Sequence, residues 1–236
     1  MNKLLVITGG TKGIGRALIE KFASEGFDII TCARNAKDLK QLKAEIGSKY
    51  KTIQLLTFKA DLSKKDDTLT FTNFVKEQKR SIEILINNTG LYLPGQIHKE
   101  KEGALEQMIN TNLYSAYHIS RALVGGMIKK KHGYIFNICS TASIMPYING
   151  GSYCISKYAL YGMTKVLREE VKEYNIKVTA VLPGATKTAS WDGVELPDER
   201  FIKPADVADS IYSVYKLSKN TVVEEILIRP QLGDIV

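Results

Sequence analysis

The 236-residue chain predicts an α/β fold, a single doubly wound parallel sheet with helices on both faces. Three observations carry this. Short apolar, β-branched runs alternate with stretches of helical spacing, a glycine-rich turn follows the first run, and no linker interrupts the series. An apolar content of 44% with 25% charged residues is that of a globular protein, and one domain over 1–236 is the expected organisation.

Residues 3–8 read as a first strand, and Thr8-Gly9-Gly10-Thr11-Lys12-Gly13-Ile14-Gly15 closes it before a helix over 16–23. Strand, glycine turn and helix are the setting in which backbone comes close to a pyrophosphate and a helix N-terminus meets it. Residues 27–33 form the second strand, and Asn35 caps a polar helix to about 48. A carboxylate at the end of this strand would bind a ribose 2′-hydroxyl. The chain has Ala33 and Arg34 there, with Lys12 in the glycine loop, so a 2′-phosphate and hence NADP(H) is the expectation. A third strand spans 52–59. Asp61 at its end is either a turn residue or a ligand contact, Leu62 follows it, and Ser63 is expected to cap a helix to about 79.

The fourth strand, 82–86, ends in Asn87-Asn88-Thr89-Gly90, and 91–101 is irregular. One long helix is expected over 102–131, although Asn110 and Asn112 are poor helix-interior residues that can mark a kink. Strand five, 134–139, leads into Ser140-Thr141-Ala142-Ser143. A helix over 153–174 carries Tyr153 and Lys157 one turn apart on the same face. An ammonium beside a phenol favours the phenolate, and a tyrosine that exchanges a proton suits carbonyl reduction or alcohol oxidation. Strand six, 177–182, is closed by Pro183-Gly184-Ala185-Thr186-Lys187-Thr188. Residues 189–200, with the only Trp, read as a mobile loop or short helix over the site. A helix with Pro204 in its first turn then spans about 205–217, and strand seven is 222–228.

The net charge of +8 comes from scattered lysines, and its dense run, Lys129 to Lys131 with His132, reads as a solvated helix end. There is no basic patch interleaved with aromatics, so nucleic acid is not an expected partner. Cys32, Cys139 and Cys154 lie far apart in apolar contexts and read as buried free thiols. Nothing resembles a signal peptide, a membrane span or a metal-ligand cluster, so a cytoplasmic protein off the membrane and without metal is expected.

Taken together, Thr8-Gly9-x-x-x-Gly13-x-Gly15, Asp61-Leu62, Asn87-Asn88-Thr89-Gly90, Asn112, Ser140, Tyr153-x-x-x-Lys157 and Pro183-Gly184 with Thr188 resemble the short-chain dehydrogenase/reductases over nearly the whole length. The resemblance implies a Rossmann-type sheet of order 3-2-1-4-5-6-7 and an NAD(P)(H)-dependent oxidoreductase. It implies Tyr153 as the acid, Lys157 lowering its pKa, Ser140 on the substrate carbonyl and Asn112 on a water. It further implies cofactor contacts from Gly9, Thr11, Lys12, Gly13, Ile14, Gly15 and Arg34, then Asp61, Leu62, Asn88 and Gly90. Tyr153, Lys157, Pro183, Gly184, Thr186 and Thr188 would meet the nicotinamide. Homodimers or homotetramers are usual in the family. Typical 3-oxoacyl-carrier-protein reductases end in a strand and tail with Asp-Gly-Gly, whereas this chain ends Ile226-Leu227-Ile228-Arg229-Pro230-Gln231-Leu232-Gly233-Asp234. That ending looks closer to carbonyl reductases of the sepiapterin- or benzil-reducing kind. NADPH-dependent reduction of a small-molecule ketone or aldehyde is the leading expectation. A 3-oxoacyl-thioester reductase and a non-catalytic NADP-binding sensor are the alternatives. Substrate contacts are expected from 91–93, 143–150 and 189–200.

Overall fold

The computed structural model describes all residues except Asp192, Val194 and Val236, and of Ser190 only the backbone. Seven strands form one parallel sheet: β1 Leu4–Thr8, β2 Asp28–Ala33, β3 Leu55–Lys59, β4 Ile84–Asn87, β5 Gly133–Ile138, β6 Ile176–Pro183 and β7 Glu225–Ile228. Their order is β3-β2-β1-β4-β5-β6-β7, the doubly wound arrangement expected. The order reverses beside β1, where β4 pairs on the other side from β2, and a crevice opens at the carboxyl ends of the strands.

Alternation along β1 divides the core. Leu5 and Ile7 point to one face, where they meet Leu18, Ile19 and Phe22 of α1 (Gly13–Ser24), Leu42 and Ile46 of α2 (Ala36–Lys49), and Val207 and Ile211 of a later helix, Pro204–Tyr215. Leu4 and Val6 point to the other face, against Phe71 and Val75 of α3 (Lys65–Glu77) and Ile119 and Leu123 of α5 (Ser115–Lys130). Between α3 and α5 lies the short α4 (Ala104–Met108), and after α5 comes α6 (Gly151–Val171). The helix Pro204–Tyr215 is α7. β1 is buried throughout because helices cover both faces, which is why its sequence is a continuous apolar run.

Two local expectations change. The helix over 102–131 is divided into α4, a π-helical segment Ile109–Tyr114, and α5. The segment contains both asparagines, and Asn112 turns fully inward there. Ser63 does not cap α3. Asp61 Oδ1 accepts from the Ser63 backbone N–H and hydroxyl, closing a turn, and Asp67 of the helix accepts from Asp61 N–H. Within 189–200, where a loop or short helix is expected, Ala189–Trp191 and Asp198–Arg200 are 3₁₀ turns, and Asp192 and Val194 lie outside the described residues. Asn35 caps α2 as expected, accepting from the N–H groups of Lys37 and Asp38. The three cysteines are buried and free, with burial pushing Cys32 up to about 12 and Cys139 to about 11. Among the described residues no helix is long and apolar enough to cross a membrane, and no cluster could hold a metal ion.

Candidate active site

Because the strands are parallel, the turns after β1, β4, β5 and β6 open on the same edge. They surround a cleft of about 970 Å³. One half of it is backbone. Gly9 adopts φ +67°, a conformation that favours glycine, and its N–H donates to Cys32 O at 3.0 Å. A β-carbon on Gly15 would run into Gly9 O and the Asn88 amide, so the loop coils against the start of α1 only because that carbon is absent. Asn88 holds the loop from the β4 side. Its Nδ2 donates to Thr8 O and Gly9 O at 2.9 and 3.0 Å, while its own N–H reaches Thr8 Oγ1. The result is a cradle of N–H groups at a helix N-terminus, a donor set for a pyrophosphate, in a cleft roomy enough for a dinucleotide and a small substrate.

At the outer end of this half, Arg34 is exposed and Lys12 pairs with Asp38 at 3.3 Å. Asp61 and Leu62 line the same end, next to Ala33. Two cations thus stand at the mouth, with Asp38 beside one of them.

The other half is made of side chains. Ser140 lies two residues past the end of β5 and opens the 3₁₀ turn Thr141–Ser143 with a reciprocal capping box. Its Oγ accepts from Ala142 N–H at 3.1 Å, which leaves the hydroxyl hydrogen free to donate. Tyr153, on the first turn of α6, hydrogen-bonds Ser140. Lys157 lies one turn on, 4% exposed, with Nζ donating to Ile138 O at 2.8 Å and sitting 5.8 Å from the Tyr153 ring centroid. Burial pushes Lys157 down to about 8. The phenol departs from the lowered pKa expected. Burial, helped by repulsion from Cys154, Tyr92 and Cys139, outweighs the effect of Ser140 and holds Tyr153 up at about 12, in its protonated form. The Tyr92 ring meets Tyr153 edge-on, centroids 4.9 Å apart.

The structure brings Gly9, Thr11, Lys12, Gly13, Ile14, Gly15, Arg34, Asp61, Leu62, Asn88, Gly90, Ser140, Tyr153, Lys157, Pro183, Gly184, Thr186 and Thr188 to this cleft. Asn112 is the exception. It lies behind the wall, its Oδ1 accepting from Leu91 N–H at 2.6 Å and its Nδ2 donating to Leu91 O and Ser156 Oγ at 2.9 and 2.8 Å. Through these three bonds Asn112 holds the 91 loop against α6. Lining residues that sequence reading did not single out include Asp38 and Asp234. Only Asp38, four residues from Arg34, carried a signal: an acid in the first turn of a helix opening on the cleft. Of the expected substrate-side residues, Met145, Tyr147 and Trp191 line the cleft, and Trp191 packs edge-on against Phe201.

The family model for short chain dehydrogenases matches residues 3–197. The sepiapterin reductase of Chlorobaculum tepidum is 32% identical over 245 aligned residues, which cover 100% of this chain and 99% of that protein. The 3-oxoacyl-[acyl-carrier-protein] reductase of Haemophilus influenzae is 32% identical over 186, covering 79% of this chain and 75% of that one. A metagenomic short-chain oxidoreductase solved in complex with NADP superposes with TM-score 0.84 at 28% identity, over 98% of each chain. The alcohol dehydrogenase of Thermococcus sibiricus, complexed with 5-hydroxy-NADP, gives TM-score 0.91 over 100% of each chain. At 23% identity it speaks to the fold alone.

Proposed function

This chain belongs to the short-chain dehydrogenase family, and on that premise we propose that it reduces a ketone or aldehyde with NADPH, Tyr153 giving the proton. The observation that carries the reading is the Ser140–Tyr153–Lys157 group, set on the wall facing the glycine cradle with its phenol protonated.

NADPH, when bound, supplies the hydride. The backbone of Gly9, Thr11, Gly13, Ile14 and Gly15 would hold its pyrophosphate, and Lys12 and Arg34 its 2′-phosphate. Asp61, Leu62, Asn88 and Gly90 would meet the adenosine half. Pro183, Gly184, Thr186 and Thr188 would hold the nicotinamide. Ser140 donates its hydroxyl hydrogen to the substrate carbonyl oxygen, which can only accept, while its own oxygen accepts from Ala142 N–H. As that oxygen gains charge, Tyr153 passes it the phenol proton. The Lys157 ammonium, fixed by Ile138 O, stabilises the phenolate left behind. Asn112 keeps Leu91 and Ser156, and through them α6, in place.

A second reading, reduction of a 3-oxoacyl thioester, draws support from an apolar groove of about 770 Å³. It adjoins the cleft across Pro146–Asn149 and is lined by Ile97, Ile155 and Tyr158. An acyl chain fits such a surface, and a net charge of +8 suits an acidic carrier.

The test is oxidation of NADPH and NADH against diketones, aromatic ketones, aldehydes and 3-oxoacyl thioesters, wild type beside Tyr153→Phe. NADPH-driven turnover that falls at least about 10²-fold in the variant, with NADPH binding retained, is the expected result. Preference for NADH would overturn the roles of Lys12 and Arg34. Turnover that survives in Tyr153→Phe would overturn the assignment of the acid.

A further inference from the structure

We infer that Glu100 is a positioning residue for the proton donor: its carboxylate clamps the 95–100 turn onto the first turn of α6, fixing Tyr153 against Ser140 and Tyr92. The inference rests on the reading of Tyr153 as the donor.

The helix that carries Tyr153 and Lys157 lacks a cap of its own. Its N-cap is Gly150, which has no side chain to accept from the first free N–H groups. Glu100 supplies the acceptor from fifty-two residues away in sequence. Its Oε1 accepts from Ser152 N–H at 2.8 Å, and its Oε2 accepts from the Ser152 hydroxyl. Ser152 is 2% exposed and immediately precedes Tyr153. A carboxylate here also complements the positive end of the helix dipole.

The surrounding chain makes room for this contact. A β-carbon on Gly151 would collide with Glu100 Oε1, and one on Gly95 would stand 2.5 Å from Glu100 Cγ. Gly95 N–H donates to Asn149 O at 3.0 Å, and Gln96 Nε2 to Asn149 Oδ1 at 3.1 Å, so the turn lies flat against the entry to α6. Glu100 N–H in turn donates to Gln96 O at 2.9 Å, closing the turn on itself. The loop is therefore pinned at both ends, by Asn112 at Leu91 and by Glu100 at Ser152. Tyr92, the ring that abuts the donor, lies between the two pins. A clamp of this kind governs where the phenol sits and leaves the glycine cradle untouched.

The experiment uses the whole chain as wild type, Glu100→Ala, Glu100→Gln and Gly151→Ala. For each, kcat and KM are measured for the best carbonyl substrate found, with NADPH Kd and amide hydrogen exchange over 91–96 and 151–154. Glu100→Ala is expected to lower kcat about tenfold or more, the scale of a misplaced reacting group. Its NADPH Kd stays within about twofold, because a clamp acts on orientation rather than on uniform binding. Exchange should quicken in both segments. Glu100→Gln, whose amide oxygen still accepts from Ser152 N–H, restores most of kcat. Gly151→Ala retains the carboxylate but crowds it and Gly95 O away from α6, and reproduces the loss. If Glu100→Ala quickens exchange yet keeps wild-type kcat, Glu100 is a structural tether and the inference fails. If exchange is unchanged, there is no clamp. Hydrogen exchange reads the clamp whether or not a carbonyl is turned over, so absence of wild-type turnover would overturn the proposed function alone.

Discussion

The two halves of the cleft are built on different terms. The half under β1 and α1 is backbone: a glycine at φ +67°, a missing β-carbon at Gly15, and an asparagine amide stitching the loop to the next strand. The half around α6 is side chains on loops: Ser140 on a 3₁₀ turn, Tyr92 from an irregular segment, Met145 and Tyr147 from another. A backbone cradle accepts one kind of group, because its donors cannot be exchanged by mutation. A side-chain wall can be re-lined residue by residue while the cradle stays fixed, which is how one scaffold serves many substrates.

Substitutions can break this contrast, and the largest effect belongs on the backbone side. Gly15→Ala should weaken NADPH binding by about 100-fold, or about 3 kcal/mol, read by fluorescence titration, because the added carbon displaces Gly9 O and Asn88 together. An alanine there that binds NADPH normally would show the cradle to be adaptable after all.

Lys157→Met tests the cost of the side-chain half. Burial holds the ammonium down to about 8 against an ordinary 10.5, so the unfolded chain binds that proton more tightly than the folded one. The destabilisation is fully present below about pH 8 and fades as pH rises towards 10.5. Lys157→Met should therefore abolish turnover yet raise stability at pH 7 by roughly 1–3 kcal/mol, the gain shrinking by pH 10 in chemical denaturation. A gain that grows with pH would contradict that sign.

The smallest effect lies at the outer wall. Tyr147, 37% exposed, should on conversion to alanine change the ratio of kcat/KM between bulky and small ketones by about three- to tenfold, with NADPH Kd unchanged. If NADPH binding moved as well, the two halves would be coupled.

What could be read from the chain divides along the same line. The glycine turn, the Asn35 cap and Tyr153 with Lys157 were legible because each pattern is local: neighbouring positions determine the shape or the shared face. The strand order came with the family resemblance, and the continuous apolar run of β1 agrees with it. The side-chain half depends on contacts between distant positions. Asn112 meets Leu91 and Ser156, and Glu100 meets Ser152, with no periodicity linking either pair. Ser63 was expected to cap α3 because it precedes a helical stretch, but Asp61 takes its hydroxyl into a turn first. Spacing shows the ammonium one turn from Tyr153 but not the burial that raises the phenol's pKa.

The π segment Ile109–Tyr114 makes chain length itself a functional variable. Each residue advances an α-helix by about 100°, so one residue more or less re-aims everything upstream of it. Met108 before the bulge and Ala116, Ile119 and Leu123 after it all face inward, although they follow two different helical phases. Deleting one residue would restore a regular helix and, in the same stroke, swing Asn112 away from Leu91. The bulge behaves as an insertion whose one inward amide ties the length of this helix to the loop beside the donor.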